Sequence, residues 1–134
     1  MNDKRCRKIK FYLHNYYNID KLIEERKECI IESISPTSRT WLMNGNTLEN
    51  QTIKLIEDWK IIEYKRWQVF LKEILVFLCN KNFLLYNIAV LYYMENENLE
   101  YILKTLKIDL KDFILLDKKL ISLIYKNAEI RNMV

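Results

Sequence analysis

Pro36 and Gly45 are the single proline and the single glycine of the chain, and both fall in one stretch between two apolar-periodic segments. Tight strand connections draw on residues that tolerate positive φ or fix a kink, so a many-stranded fold has almost nowhere to turn. The chain is therefore expected to be all-α. Its 134 residues, half of them apolar, are a usual size for one domain and ample for a core.

Between Phe83 and Ala128 the apolar spacing predicts helices over Phe83 to Met94, Leu99 to Leu106, and Asp109 to about Ala128. Leu84, Ile88 and Leu91 share one face, as do Leu99, Ile102, Leu103 and Leu106, and then Phe113, Leu116, Leu120 and Ile124. Asn98 and Asp109 stand where a short side-chain oxygen caps the first-turn amides of the helix that follows. Ile108 falls between the last two helices, placed to plug their crossing. This is the layout of a helix-turn-helix closing a small trihelical unit, assigned to residues 81–134.

Two longer helical segments precede it, expected to form an antiparallel hairpin over residues 1–80. The first runs from about Lys4 to Ser33, with Tyr12, Tyr16, Ile19, Ile23 and Ile30 in a heptad-like seam and Arg26 at one intervening seam position. The second begins at Asn46 or Thr47, where Asn46 and Glu49 resemble a capping box. It carries Leu48, Leu55, Ile56, Trp59, Ile62, Trp67, Phe70, Ile74 and Phe77 on an apolar stripe. Continued from Thr47 to Cys79 it would be roughly 50 Å long at ~1.5 Å per residue. Such a stripe needs the first helix or a second copy to cover it, so a homodimer is among the expected assemblies. Lys65 and Arg66 interrupt the stripe, so the sequence leaves open whether this helix is continuous or bends there. In the linker, Pro36 stops the first helix, Gly45 frees the turn into the second, and Trp41 is expected to plug the hairpin end.

From Trp67 to Ala128 the chain resembles the C-terminal part of the phage late-gene transcription activators of the ArpU/RinA group, which are related to the helix-turn-helix of sigma-factor region four. The likeness rests on the aromatic pair Tyr92-Tyr93, the polar turn Glu95-Asn96-Glu97-Asn98, the helix around Ile102, the turn Leu106-Lys107-Ile108-Asp109, Phe113, and Lys118-Lys119. The resemblance implies a phage or prophage transcriptional regulator that binds double-stranded DNA through this motif, its long helices orienting it, dimerising it or touching RNA polymerase. Carried over residue by residue, it nominates Lys107, Lys111, Lys118 and Lys119 for phosphate contact and Ile114 and Leu115 for apolar contact in the groove.

The chain also departs from the pattern. Asp109 stands at the cap where Ser or Thr is common, and Leu110, Lys111, Asp112, Ile114 and Leu115 fill outward positions that usually carry Arg, Lys or Gln. Leu103 replaces a small residue at the helix crossing. An alternative follows: a helical interaction module that keeps the helix-turn-helix shape and binds RNA polymerase or another protein through Leu110, Ile114 and Leu115.

Net charge is +4, too small to establish nucleic-acid binding alone. Lys4, Arg5, Arg7, Lys8 and Lys10 oppose only Asp3 at the start, which suits phosphate contact, an acidic partner or a plain solvated helix end. Cys6, Cys29 and Cys79 lack metal-ligand spacing and a disulfide framework, pointing to reduced thiols, a cytoplasmic setting and no metal. MNDKRCRKIK has no apolar signal core, and no uninterrupted stretch of about 18 apolar residues is present to cross a bilayer. His14 has no motif-spaced carboxylate or thiol, and Glu24, Glu28 and Glu32 read as a solvated helix face, so neither an enzyme nor a cofactor is expected.

Overall fold

The computed structural model describes residues 3–32 and 58–134, and every regular element among them is helical. The all-α expectation holds for these residues. We number the helices α1 (Asp3–His14), α2 (Ile19–Glu32), α3 (Trp59–Lys81), α4 (Phe83–Ile88), α5 (Leu99–Leu106) and α6 (Leu110–Ile130). A short 3₁₀ turn, Tyr16–Asn18, precedes α2, and a π-helical turn, Ala89–Met94, continues α4.

Short polar side chains start four of these helices. Asp58 Oδ2 accepts from Ile61 N at 3.1 Å, Asn82 Oδ1 from Leu85 N at 3.3 Å, Asn98 Oδ1 from Glu100 N at 2.8 Å, and Asp109 Oδ1 from Asp112 N at 2.7 Å. Each bond satisfies an amide that has no partner inside its own helix. The caps expected at Asn98 and Asp109 are thus in place, and α5 and α6 begin where the sequence places them. Helix ends use the left-handed region: Asn96 has φ 52° and Lys107 φ 57°. Asn tolerates that conformation through its short polar side chain, whereas Lys at such a position costs on the order of 1 kcal/mol.

The long amino-terminal helix is not continuous. Asn15 ends α1, its backbone N–H and its side-chain Nδ2 both donating to Phe11 O at 3.0 and 2.8 Å, before the chain restarts in α2. A side chain that bonds the preceding turn in this way competes with helix continuation, and the flanking Tyr16, Tyr17 and Asn18 are poor helix formers. The second long helix is also shorter than expected, because Asp58 caps a fresh start at Trp59 instead of lying inside a helix from Thr47. The helical assignment runs unbroken through Lys65 and Arg66. The capping box at Asn46, the Trp41 plug and the start of the apolar stripe lie outside the described residues.

The described chain packs as two compact units, residues 18–69 and residues 1–17 with 70–134. In the first, Ile19, Ile23, Ile61, Tyr64 and Trp67 are buried. Arg26, the cation in the expected seam, donates through Nε and Nη2 to Asp58 Oδ2 and Oδ1 at 3.1 and 2.9 Å. That paired contact, aided by the Asp58 amide acceptances, holds the Asp58 carboxyl below the usual carboxylate range. Gln68 Nε2 donates to Asp20 Oδ1 at 3.0 Å, so α2 and the first part of α3 are tied in opposite order along their lengths. Trp59, 66% exposed, and Ile62 leave the expected stripe for solvent, and Ile61 and Tyr64 face inward instead.

In the second unit α1 packs on α6 and on the π turn, while α4 packs on α6 and α5 on the π turn. Its buried side chains include Ile9 and Leu13 of α1, Leu85 and Ile88 of α4, Ile102 of α5, and Phe113, Leu120 and Ile124 of α6. The π turn corrects the inward face of the Phe83 to Met94 segment. Glu95 N donates to Val90 O, five residues back, and this wider turn carries Tyr93 and Met94 inward while Leu84 and Leu91 are only half-buried.

Candidate nucleic-acid interface

The segment nominated by sequence, residues 99–119, is built from a short helix, a tight turn and the first half of a long helix. Lys107 leaves α5 in the left-handed conformation, and Ile108 N donates back to Leu103 O at 3.1 Å, closing the helix end. Asp109 then caps α6 directly, so 107–109 is the whole connection. Ile108 is half-buried at this junction. Phe113 reaches back to the π turn, where its ring meets Tyr92 edge-on at 5.0 Å. The aromatic pair and the aromatic of α6, separate in sequence, therefore touch.

All six nominated residues are exposed: Lys107 at the turn, and Lys111, Ile114, Leu115, Lys118 and Lys119 on α6. Lys111, Leu115 and Lys118 follow steps of four and three residues and lie along one line of α6, with Lys119 beside them. Lys126 extends this outward side two turns further. Leu110, Ile114 and Leu115 are 50%, 45% and 53% exposed, an apolar component unusual for a solvated helix face. The acids divide between roles. Asp109 caps the helix, Asp112 remains exposed in the first turn, and Asp117 is turned inward.

Asp117 accepts from the hydroxyl of Tyr93, a side chain only 2% exposed. Burial, then this bond and the negative charge of Asp117, push the Tyr93 phenol well above its ordinary range, so it stays a donor. The Tyr93 carbonyl takes a contact of 3.0 Å from His14 Nδ1, and because a carbonyl only accepts, that nitrogen carries the hydrogen. Tyr93 thereby fastens both α1 and α6 to the π turn. At the other end of α1, Arg5 Nη1 donates to Tyr125 Oη at 2.8 Å, and Arg5 Cζ lies 5.9 Å from the Tyr125 ring centroid. The Tyr125 hydroxyl, followed at longer range by Glu129, raises the Arg5 guanidinium above its ordinary value.

Sequence reasoning did not find these ties. His14 and Tyr93, or Arg5 and Tyr125, are brought together only by tertiary packing, and no local spacing signals them. Among the described residues no group of three or more His, Cys, Asp or Glu is placed to hold a metal ion, and no helix is long and apolar enough to cross a membrane. Compared with known proteins, the chain matches no family model, no curated protein and no solved structure at a significant level.

Proposed function

We propose that this chain is a DNA-binding regulator of transcription, of the phage or prophage late-gene activator type, in which α5, the turn 107–109 and α6 form a helix-turn-helix. The observation that carries this reading is the outward strip of α6, where Lys111, Lys118 and Lys119 stand exposed around Ile114 and Leu115 while Asp117 is drawn inward. Cations at that spacing suit phosphates on either side of a groove, and branched apolar side chains suit thymine methyl groups. A three-residue connection whose first member is left-handed also supports it, since helix-turn-helix units use short turns that often place Gly there. The remaining helices would orient the motif, pair two copies or touch RNA polymerase, in a cytoplasmic setting and without a catalytic step.

The exposure of Leu110, Ile114 and Leu115 favours one second reading, in which the same face docks on a protein such as RNA polymerase. Replacing Ile114 and Leu115 by Ser tests the choice. With a labelled duplex from the upstream region of its own gene and a scrambled duplex, the variant should lose about tenfold in affinity for the first and little for the second, because apolar base contacts carry preference. An unchanged preference, with loss of a bound protein instead, overturns the DNA reading of these two residues.

A further inference from the structure

The outward face of α6 is a weak electrostatic footprint by itself. From Leu99 to the end, seven Lys and Arg stand against five Asp and Glu, and residues 70–134 as a whole have nine against eight, a net of +1. The positive charge of this unit comes from residues 1–17, where five cations oppose Asp3 alone, so the unit carries fourteen against nine, or +5. Residues 18–69 have eight against nine, or −1. The chain's excess positive charge is therefore held by the unit that contains α6, and α1 supplies most of it.

Packing places that charge beside α6. The inner side of α1, through Ile9, Tyr12 and Leu13, is buried, and Arg5 is fixed to Tyr125 on α6. Lys4, Arg7 and Lys10, at three-residue steps, lie on the opposite, exposed half of α1. We propose that α1 is a second phosphate-binding element, whose Lys4, Arg7 and Lys10 hold the sugar-phosphate backbone of the duplex that α6 enters. This rests on the DNA-binding reading of α6 and extends it to a part of the chain 100 or more residues away in sequence. The charge chooses the occupant. Duplex DNA presents about one negative charge per ~1.7 Å of its axis, so cations held over a backbone strand need no sculpted pocket. A lipid surface is a poorer match, because Ile9, Tyr12 and Leu13 of α1 are buried in the unit and Phe11, 44% exposed, is the one large apolar side chain of α1 left to enter it.

The test uses the full chain, a triple variant Lys4→Gln, Arg7→Gln, Lys10→Gln, and a charge-keeping variant Lys4→Arg, Lys10→Arg. Anisotropy titration of a labelled duplex at a series of salt concentrations gives affinity and the slope of log K against log salt. The triple variant should bind about tenfold or more weakly at about 150 mM salt, and its slope should be shallower by about 2 to 3. Its preference for one sequence over another should be unchanged, and the charge-keeping variant should match the wild type. Circular dichroism checks that both variants keep their helices. A triple variant with wild-type affinity and slope, beside a Lys118→Gln, Lys119→Gln variant whose slope falls, overturns the role of α1 and leaves the reading of α6 standing. Equal weakening in the charge-keeping variant also overturns it, since charge would not be the cause. Wild-type protein that ignores duplex at low salt, or binds phosphatidylserine vesicles instead, overturns both.

Discussion

Reversing the charge of Lys118 and Lys119, by Lys118→Glu with Lys119→Glu, should abolish duplex binding while leaving the helices intact. Both residues are exposed on α6, so their replacement removes no core contact, and surface changes of this kind usually alter stability by no more than about 0.5 kcal/mol. The effect on a polyanion is much larger. Each lost phosphate contact removes about 0.9 from the salt slope, and each new carboxylate then repels the backbone, so affinity should fall on the order of 100-fold or more near about 150 mM salt. A protein docked on Leu110, Ile114 and Leu115 would instead be released chiefly by the Ser substitutions. Full retention of duplex affinity in the reversed variant, with a wild-type circular dichroism spectrum, would show that α6 does not face phosphates.

Tyr93 should be the most costly side chain to remove from the unit that carries α6. It is almost wholly buried, it donates to Asp117, and its ring meets the His14 ring edge-on with centroids 5.1 Å apart. Tyr93→Ala should destabilise the chain by about 3 to 5 kcal/mol, combining lost burial with the cavity left behind. Tyr93→Phe keeps the ring but leaves Asp117 without its donor, at about 1 to 2 kcal/mol, because Asp117 is only half-buried and water can replace part of the bond. The pH dependence separates ring from hydroxyl. The phenol is raised in the folded chain, so above the ordinary tyrosine range near pH 10 the unfolded chain gives up this proton first and stability falls as pH rises. Urea unfolding near neutrality and at about pH 10.5 should show a smaller alkaline loss in Tyr93→Phe than in the wild type. Equal stability of the two at both pH values would contradict the hydroxyl's role.

Local chemistry was legible from the sequence, and long-range geometry was not. Asn98 and Asp109 announce helix starts because a cap acts on amides two or three residues away, and the outward placement of Lys111, Lys118 and Lys119 follows from helical periodicity alone. The break at Asn15 was obscured because Tyr12, Tyr16, Ile19 and Ile23 keep a helical spacing through it, although a bond from Asn15 back to Phe11 stops the helix. Asp58 reads equally well as an outward residue of a long helix or as a cap, and its pairing with Arg26 decides for the cap. The π turn has no periodic signature of its own, so the inward side of Tyr93 emerges only once the extra residue per turn is seen. The same holds for α1. Its cations were visible, but their position beside α6 depends on the contact of Arg5 with Tyr125.

Fluorescence-anisotropy titration of the wild-type chain against its own upstream duplex and a scrambled duplex, each at low and physiological salt, tests the central claim most directly. Tighter binding to the upstream duplex that persists at the higher salt is the predicted result. Binding that is absent, or equal for both duplexes and lost as salt rises, would contradict a sequence-specific regulator and turn the outward face of α6 toward a protein partner.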